Sequence, residues 1–145
     1  MFHLNASYFI ISGMVSSDSR FLIVEDSASM RGLLLMICKQ IGYKNVTQSV
    51  SGVAAWEELQ KPGPAIEVVL CDWMMPEMDG LELLKKIRAD EKLSKLPFIM
   101  LTAEVEEEKR RLAFDSGVDG FIGKPFSSEQ IRTTLAEVFK KLAGG

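Results

Sequence analysis

The sequence predicts an α/β fold: a five-stranded parallel sheet with helices on both faces. Three observations predict it. Short apolar runs alternate five times with segments whose apolar residues recur at helical spacing. The clearest runs, "RFLIVE" (20–25), "IEVVLCD" (66–72) and "PFIMLTA" (97–103), are apolar at successive positions, as strands covered on both faces must be. Each helical segment returns the chain to a new strand, which suits right-handed crossovers between parallel neighbours.

The elements follow in order. Residues 20–25 read as a buried strand ending in two acids, Glu25 and Asp26. Met30, Leu33, Leu34, Ile37 and Ile41 then fall at helical spacing over residues 28–41, and Gly42 stops the helix. "YKNVTQS" (43–49) is a weaker strand. Residues 51–60 form a short helix that Lys61-Pro62-Gly63-Pro64 breaks. Residues 66–72 are the second clear strand. Asp79 and Glu82 have the spacing of a capping box, opening a helix with Leu81, Leu84 and Ile87 on one face. Residues 97–103 are the third clear strand. A polar helix over 105–116 closes at Gly117, and "DGFIG" (119–123) is a brief strand. A second box-like run, Ser127 to Gln130, opens a last helix with Ile131, Leu135, Val138 and Leu142 in one stripe.

Composition narrows the function. The 145 residues fit one domain with a core of its own, and no linker leads to a second. Residues 20–145 are expected to form that domain, with 1–19 an extension outside it, since Met14 opens "MVSSDSRFLIVED". The net charge of −3 gives no electrostatic case for nucleic acid. No apolar stretch has membrane-spanning length, and the start lacks the basic residues of a signal peptide. Cys38 and Cys71 sit in apolar segments without a CxxC partner, which reads as buried thiols in a reducing, cytoplasmic setting. The one histidine, His3, lies in the extension, so histidine chemistry is not expected.

Ligands in open α/β sheets sit beyond the carboxyl ends of the strands. The sequence places Glu25 and Asp26 after the first strand, Asp72 at the end of the third, Thr102 at the end of the fourth and Lys124 after the fifth. Crowded carboxylates resist ionising together, and a hard divalent cation such as Mg²⁺ resolves the conflict. Beside such an ion an aspartate can accept a phosphoryl group, with a hydroxyl and an ammonium to hold its oxygens.

The motifs "VEDS" (24–27), "CDWMMPEMDG" (71–80), "LTAE" (101–104) and "GFIGKPF" (120–126) resemble those of the receiver domains of two-component response regulators. Among these the likeness is greatest to the stand-alone chemotaxis regulators, and it runs from about Arg20 to Leu142. The resemblance implies the flavodoxin-like strand order 2-1-3-4-5, an order for which receivers are themselves a standard example. It implies Asp72 as phosphoacceptor. Asp26 would be a direct Mg²⁺ ligand, Glu25 would act through water, and the backbone carbonyl of Met74 would complete the metal site. Thr102 and Phe121 would be the switch pair, and Lys124, ahead of a cis bond to Pro125, would pair with the phosphate.

The same resemblance implies a histidine kinase as phosphodonor and a protein target on the face formed by residues 105–126, such as the flagellar motor switch. It implies no enzyme beyond self-phosphorylation and autodephosphorylation, and a monomer. A receiver of another pathway and a phosphorelay carrier remain open. An aspartate-nucleophile phosphatase is a rival class, but it needs an acid two residues past its nucleophile, where this chain has Met74. Met74 and Ser27 both depart from the chemotaxis pattern, which has Asn and an aromatic there, and Glu25 stands where Asp is usual.

Overall fold

The computed structural model describes residues 16–103 and 106–144. Five strands, β1 (Arg20–Val24), β2 (Asn45–Ser49), β3 (Val68–Asp72), β4 (Phe98–Thr102) and β5 (Gly120–Gly123), alternate with five helices. The helices are α1 (Ala28–Ile41), α2 (Gly52–Gln60), α3 (Gly80–Ala89), α4 (Glu107–Asp115) and α5 (Ser128–Gly144). All strand pairs are parallel, and the sheet order is β2-β1-β3-β4-β5. This is the flavodoxin-like order.

Strand periodicity explains the unbroken apolar runs. Successive side chains point to opposite faces. Phe21, Ile23, Val68, Leu70, Ile99 and Leu101 fill one core with α1 and α5. Leu22, Val24, Val69, Cys71, Phe98 and Met100 fill the other with α2, α3 and α4. Every residue of β3 and β4 is buried. The central strands therefore cannot be polar except at their ends, and that is where the polar groups emerge.

Two expectations change in detail. The strand expected over 43–49 begins at Asn45. Residues 42 and 43 are used in ending α1: Gly42, at φ 108°, donates to the carbonyls of Cys38 and Lys39, and Tyr43 N–H also donates to Cys38. Tyr43 then stacks on Phe21 with ring centroids 4.4 Å apart. On α1 the buried positions are Leu34, Ile37 and Cys38, while Leu33 is exposed. Leu33 lies one residue, about 100° of helical turn, off that stripe.

Side chains cap four of the helix starts, two of them, at Asp79 and Ser127, where the sequence suggests it. Ser27 and Ser51 accept from the N–H groups of Met30 and Ala54. Asp79 and Glu82 complete the capping box of α3. At α5, the Ser127 hydroxyl accepts from Gln130 N–H at 3.2 Å. Helix α4 differs from the others. Its first residue has no side-chain cap, and Ala113 is its one buried residue. The expected helix start at residue 105 lies outside the described residues, as do Glu104 and the extension up to residue 15.

Candidate functional site

The carboxyl ends of the strands bring the expected residues to one rim. Chain β1 turns away toward β2, and β3 lies on its other side, so the crevice between them is the switch point of the sheet. Asp72 is the last residue of β3 and is buried. Thr102 ends β4 and is buried too. Glu25 and Asp26 follow β1, Glu25 only 1% exposed and Asp26 open to solvent. Lys124 follows β5, and the Lys124–Pro125 bond is cis.

Ionic contacts hold the group together. Lys124 Nζ lies 3.0 Å from Asp72 Oδ1 and 3.4 Å from Glu25 Oε1. The ammonium is placed by its own backbone, since Lys124 N–H donates to the carbonyl of Thr102 at 3.0 Å. Ser27 N–H donates to Glu25 Oε2 at 3.0 Å. Burial raises the Glu25 pKa above its ordinary value; the Ser27 N–H and Lys124 oppose this, while Asp72 adds to it. For Lys124 burial works against the charge, but the hydrogen bond and charge of Asp72, and then Glu25, outweigh it and raise the pKa.

One oxygen from each of Glu25, Asp26 and Asp72 lies within 4.8 Å of the others. Three carboxylate oxygens at that spacing, with one side of the crevice open at Asp26, fit a hard oxygen-seeking divalent ion. The single lysine does not balance three acids, which leaves charge for a cation to offset.

Phe121 sits half-buried on β5 beside the rim. Trp73, which adjoins Asp72, stacks against it at 6.3 Å, and Phe114 of α4 meets it edge-on at 5.1 Å. The guanidinium of Arg110 lies 5.2 Å over the ring. This aromatic chain joins the acidic rim to α4. Phe126, on the neighbouring segment, is core. Met74, two residues past Asp72, is 69% exposed.

The sequence reading missed Arg31. Its guanidinium donates to the Glu25 carbonyl at 3.0 Å and so braces the turn that carries both acids. Arg31 is the one charged residue between Ala28 and Cys38, a signal that sequence reasoning could have used. Gly80 closes the "CDWMMPEMDG" motif, whereas Gly52 was passed over. A Cβ on Gly80 would lie 2.6 Å from the Asp72 carbonyl, and one on Gly52 would lie 2.6 Å from the Met78 carbonyl. Nothing local in the sequence marks the second contact, because it joins distant segments.

Known proteins share this arrangement. Residues 21–136 match the family described as response regulator receiver domain. The chain is 35% identical to chemotaxis protein CheY-3 of Vibrio cholerae over 132 residues, which are 91% of this chain and all of that protein. It is 37% identical to chemotaxis protein CheY1 of Helicobacter pylori over 119 residues, covering 82% of this chain and 95% of that one. The structure of Vibrio cholerae chemotaxis protein CheY4 superposes with a TM-score of 0.76 at 31% identity, covering 83% of this chain and 98% of the other. The chain belongs to the response regulator receiver domain family and is CheY-like within it.

Proposed function

We propose that the protein is a phosphorylation-dependent switch whose phosphoacceptor is Asp72. A receiver domain implies a histidine kinase as donor and a downstream target. The carrying observation is the position of Asp72: fixed at the end of a fully buried strand, paired to Lys124, and within reach of two further carboxylates.

In the proposed reaction an Asp72 oxygen attacks the phosphorus of a phosphohistidine. The phosphorus–nitrogen bond breaks, an acyl phosphate forms, and the imidazole keeps the electron pair and takes up a proton. Asp26, Asp72 and the Met74 carbonyl would hold Mg²⁺ directly, with Glu25 acting through water. When bound, the ion offsets the charge that gathers on the phosphoryl oxygens. Lys124, already at Asp72, moves to one of those oxygens, exchanging a carboxylate partner for a phosphoryl one. Thr102 donates its hydroxyl to another.

The output follows from the same geometry. Drawing Thr102 toward the phosphoryl group opens space beside it for Phe121, so two packings of the Trp73–Phe121–Phe114 chain compete. The target would bind the 105–126 face, where Leu112 and Phe114 are exposed. The names of the chemotaxis relatives favour the flagellar motor switch as that target.

The test is phosphorylation with acetyl phosphate and Mg²⁺, read by mass spectrometry. One added phosphate is expected on the wild type and none on Asp72→Asn. An adduct that persists in the variant rejects the assignment.

A further inference from the structure

The segment leaving Asp72 is an arch. Gly80 N–H donates to the Trp73 carbonyl at 2.9 Å, closing residues 73–80 at the base. The far leg is fixed, because Asp79 caps α3 through Glu82 N–H at 2.9 Å. On the near leg, Met75 is buried in the core. Pro76 has its φ locked by its ring. Glu77, the one non-glycine residue at positive φ among those described, stands at +67°. A side chain in that region is strained and persists only where neighbours enforce it. Helix α2 lies against the next residue, Met78. Gly52, buried at its first position, faces Met78 so closely that an added Cβ would lie 2.6 Å from the Met78 carbonyl oxygen and 2.9 Å from its Cβ.

We infer that Gly52 is a positioning residue for the metal site: its bare backbone lets α2 clamp the arch at Met78, which holds the Glu77 kink and sets the Met74 carbonyl. The inference rests on the reading of that carbonyl as an Mg²⁺ ligand. Carbon and oxygen settle near 3.5 Å, so a side chain at 52 drives Met78 back by roughly 1 Å. The far leg cannot absorb this, and neither can Pro76. The displacement therefore runs down the near leg: Glu77, whose strained φ has little latitude, passes it through the rigid Pro76 to Met75, which must shift in its packing and carry the Met74 carbonyl with it. Mg²⁺ demands near-ideal octahedral geometry, and sites of this sort tolerate shifts of only ~0.5 Å.

The experiment is an Mg²⁺ titration followed by Trp73 fluorescence, with a thermal melt of the metal-free protein beside it. Gly52→Ala should bind Mg²⁺ at least about tenfold more weakly. Gly52→Ala combined with Glu77→Gly should recover most of that affinity, because glycine lets the kink take up the displacement. A merely structural role for Gly52 would lower the melting temperature and leave the affinity alone. Wild-type affinity in folded Gly52→Ala overturns the inference, and so does a double variant as weak as the single one. If Gly52→Ala does not fold, the double variant decides: near-wild-type affinity supports the clamp and a tenfold deficit rejects it. An Mg²⁺ response that survives Asp72→Asn and Asp26→Asn together would instead overturn the metal reading itself, and the inference with it.

Discussion

Met74 stands two residues past Asp72 with most of its side chain in water. Hydrolysis of an acyl phosphate at Asp72 needs a water in line with the oxygen–phosphorus bond. A thioether accepts weakly and donates nothing, so Met74 cannot orient that water, and its bulk screens the approach. Met74→Asn should therefore speed autodephosphorylation, by about tenfold for each ~1.4 kcal/mol removed from the barrier. Phosphate-release kinetics check this, and an equal or slower rate in the variant rejects it. At the opposite end of the sheet, Glu67 accepts from Arg20 N–H at 3.0 Å, but its other oxygen is buried and, among the described residues, has no hydrogen-bond partner. Burial raises its pKa above 4.5, against the pull of that N–H and of the Arg20 charge. The folded state thus binds its proton more tightly than the unfolded state. The resulting stability is fully present below the unfolded value and is lost as pH rises through the folded one. Glu67→Gln keeps an acceptor and cannot ionise. Urea unfolding from about pH 4 to pH 7 should show wild-type stability falling with pH relative to the variant, and a flat difference refutes the assignment.

At the scale of elements, Arg88 joins three of them. From α3 it donates to the carbonyls of Ser94, Leu96 and Gly117 and pairs with Asp119 at 3.0 Å. Asp119 also accepts from Phe98 N–H, so a single ion pair fixes the entries to both β4 and β5. Arg88→Met strips the donors from these groups together and should cost about 2–4 kcal/mol in denaturant unfolding. A loss below about 1 kcal/mol would show that the pair is solvent-exposed in effect. None of this was legible in the sequence, where Arg88 is one charge in a mixed run. What was legible had a periodic or terminal signature. Strands β3 and β4 announced themselves because burial on both faces forbids polar residues along their length. The rim residues were legible because they interrupt that rule at the strand ends. Boundaries such as Tyr43 were not, since the turn that ends α1 and the strand that follows draw on the same residue types. The Gly52–Met78 approach and the Arg88 network are long-range contacts, which periodicity does not encode.

Over the whole molecule, burial is shared unevenly. Five residues of α3 are buried, against Ala113 alone in α4. The sheet and its two cores can therefore remain intact while α4 loosens, because so little apolar area is exposed when it leaves. Native-state hydrogen exchange should reveal α4 amides opening locally, at rates at least about a hundredfold above those of α3, whose opening approaches global unfolding. Equal protection of the two helices would contradict this. The consequence concerns evolution as much as motion. A helix that buries so little of itself can change most of its exposed residues without endangering the fold. The charged and apolar surface of α4 is thus free to be rewritten for a new target, while the acids, the lysine and the sheet that serve the chemistry stay as they are.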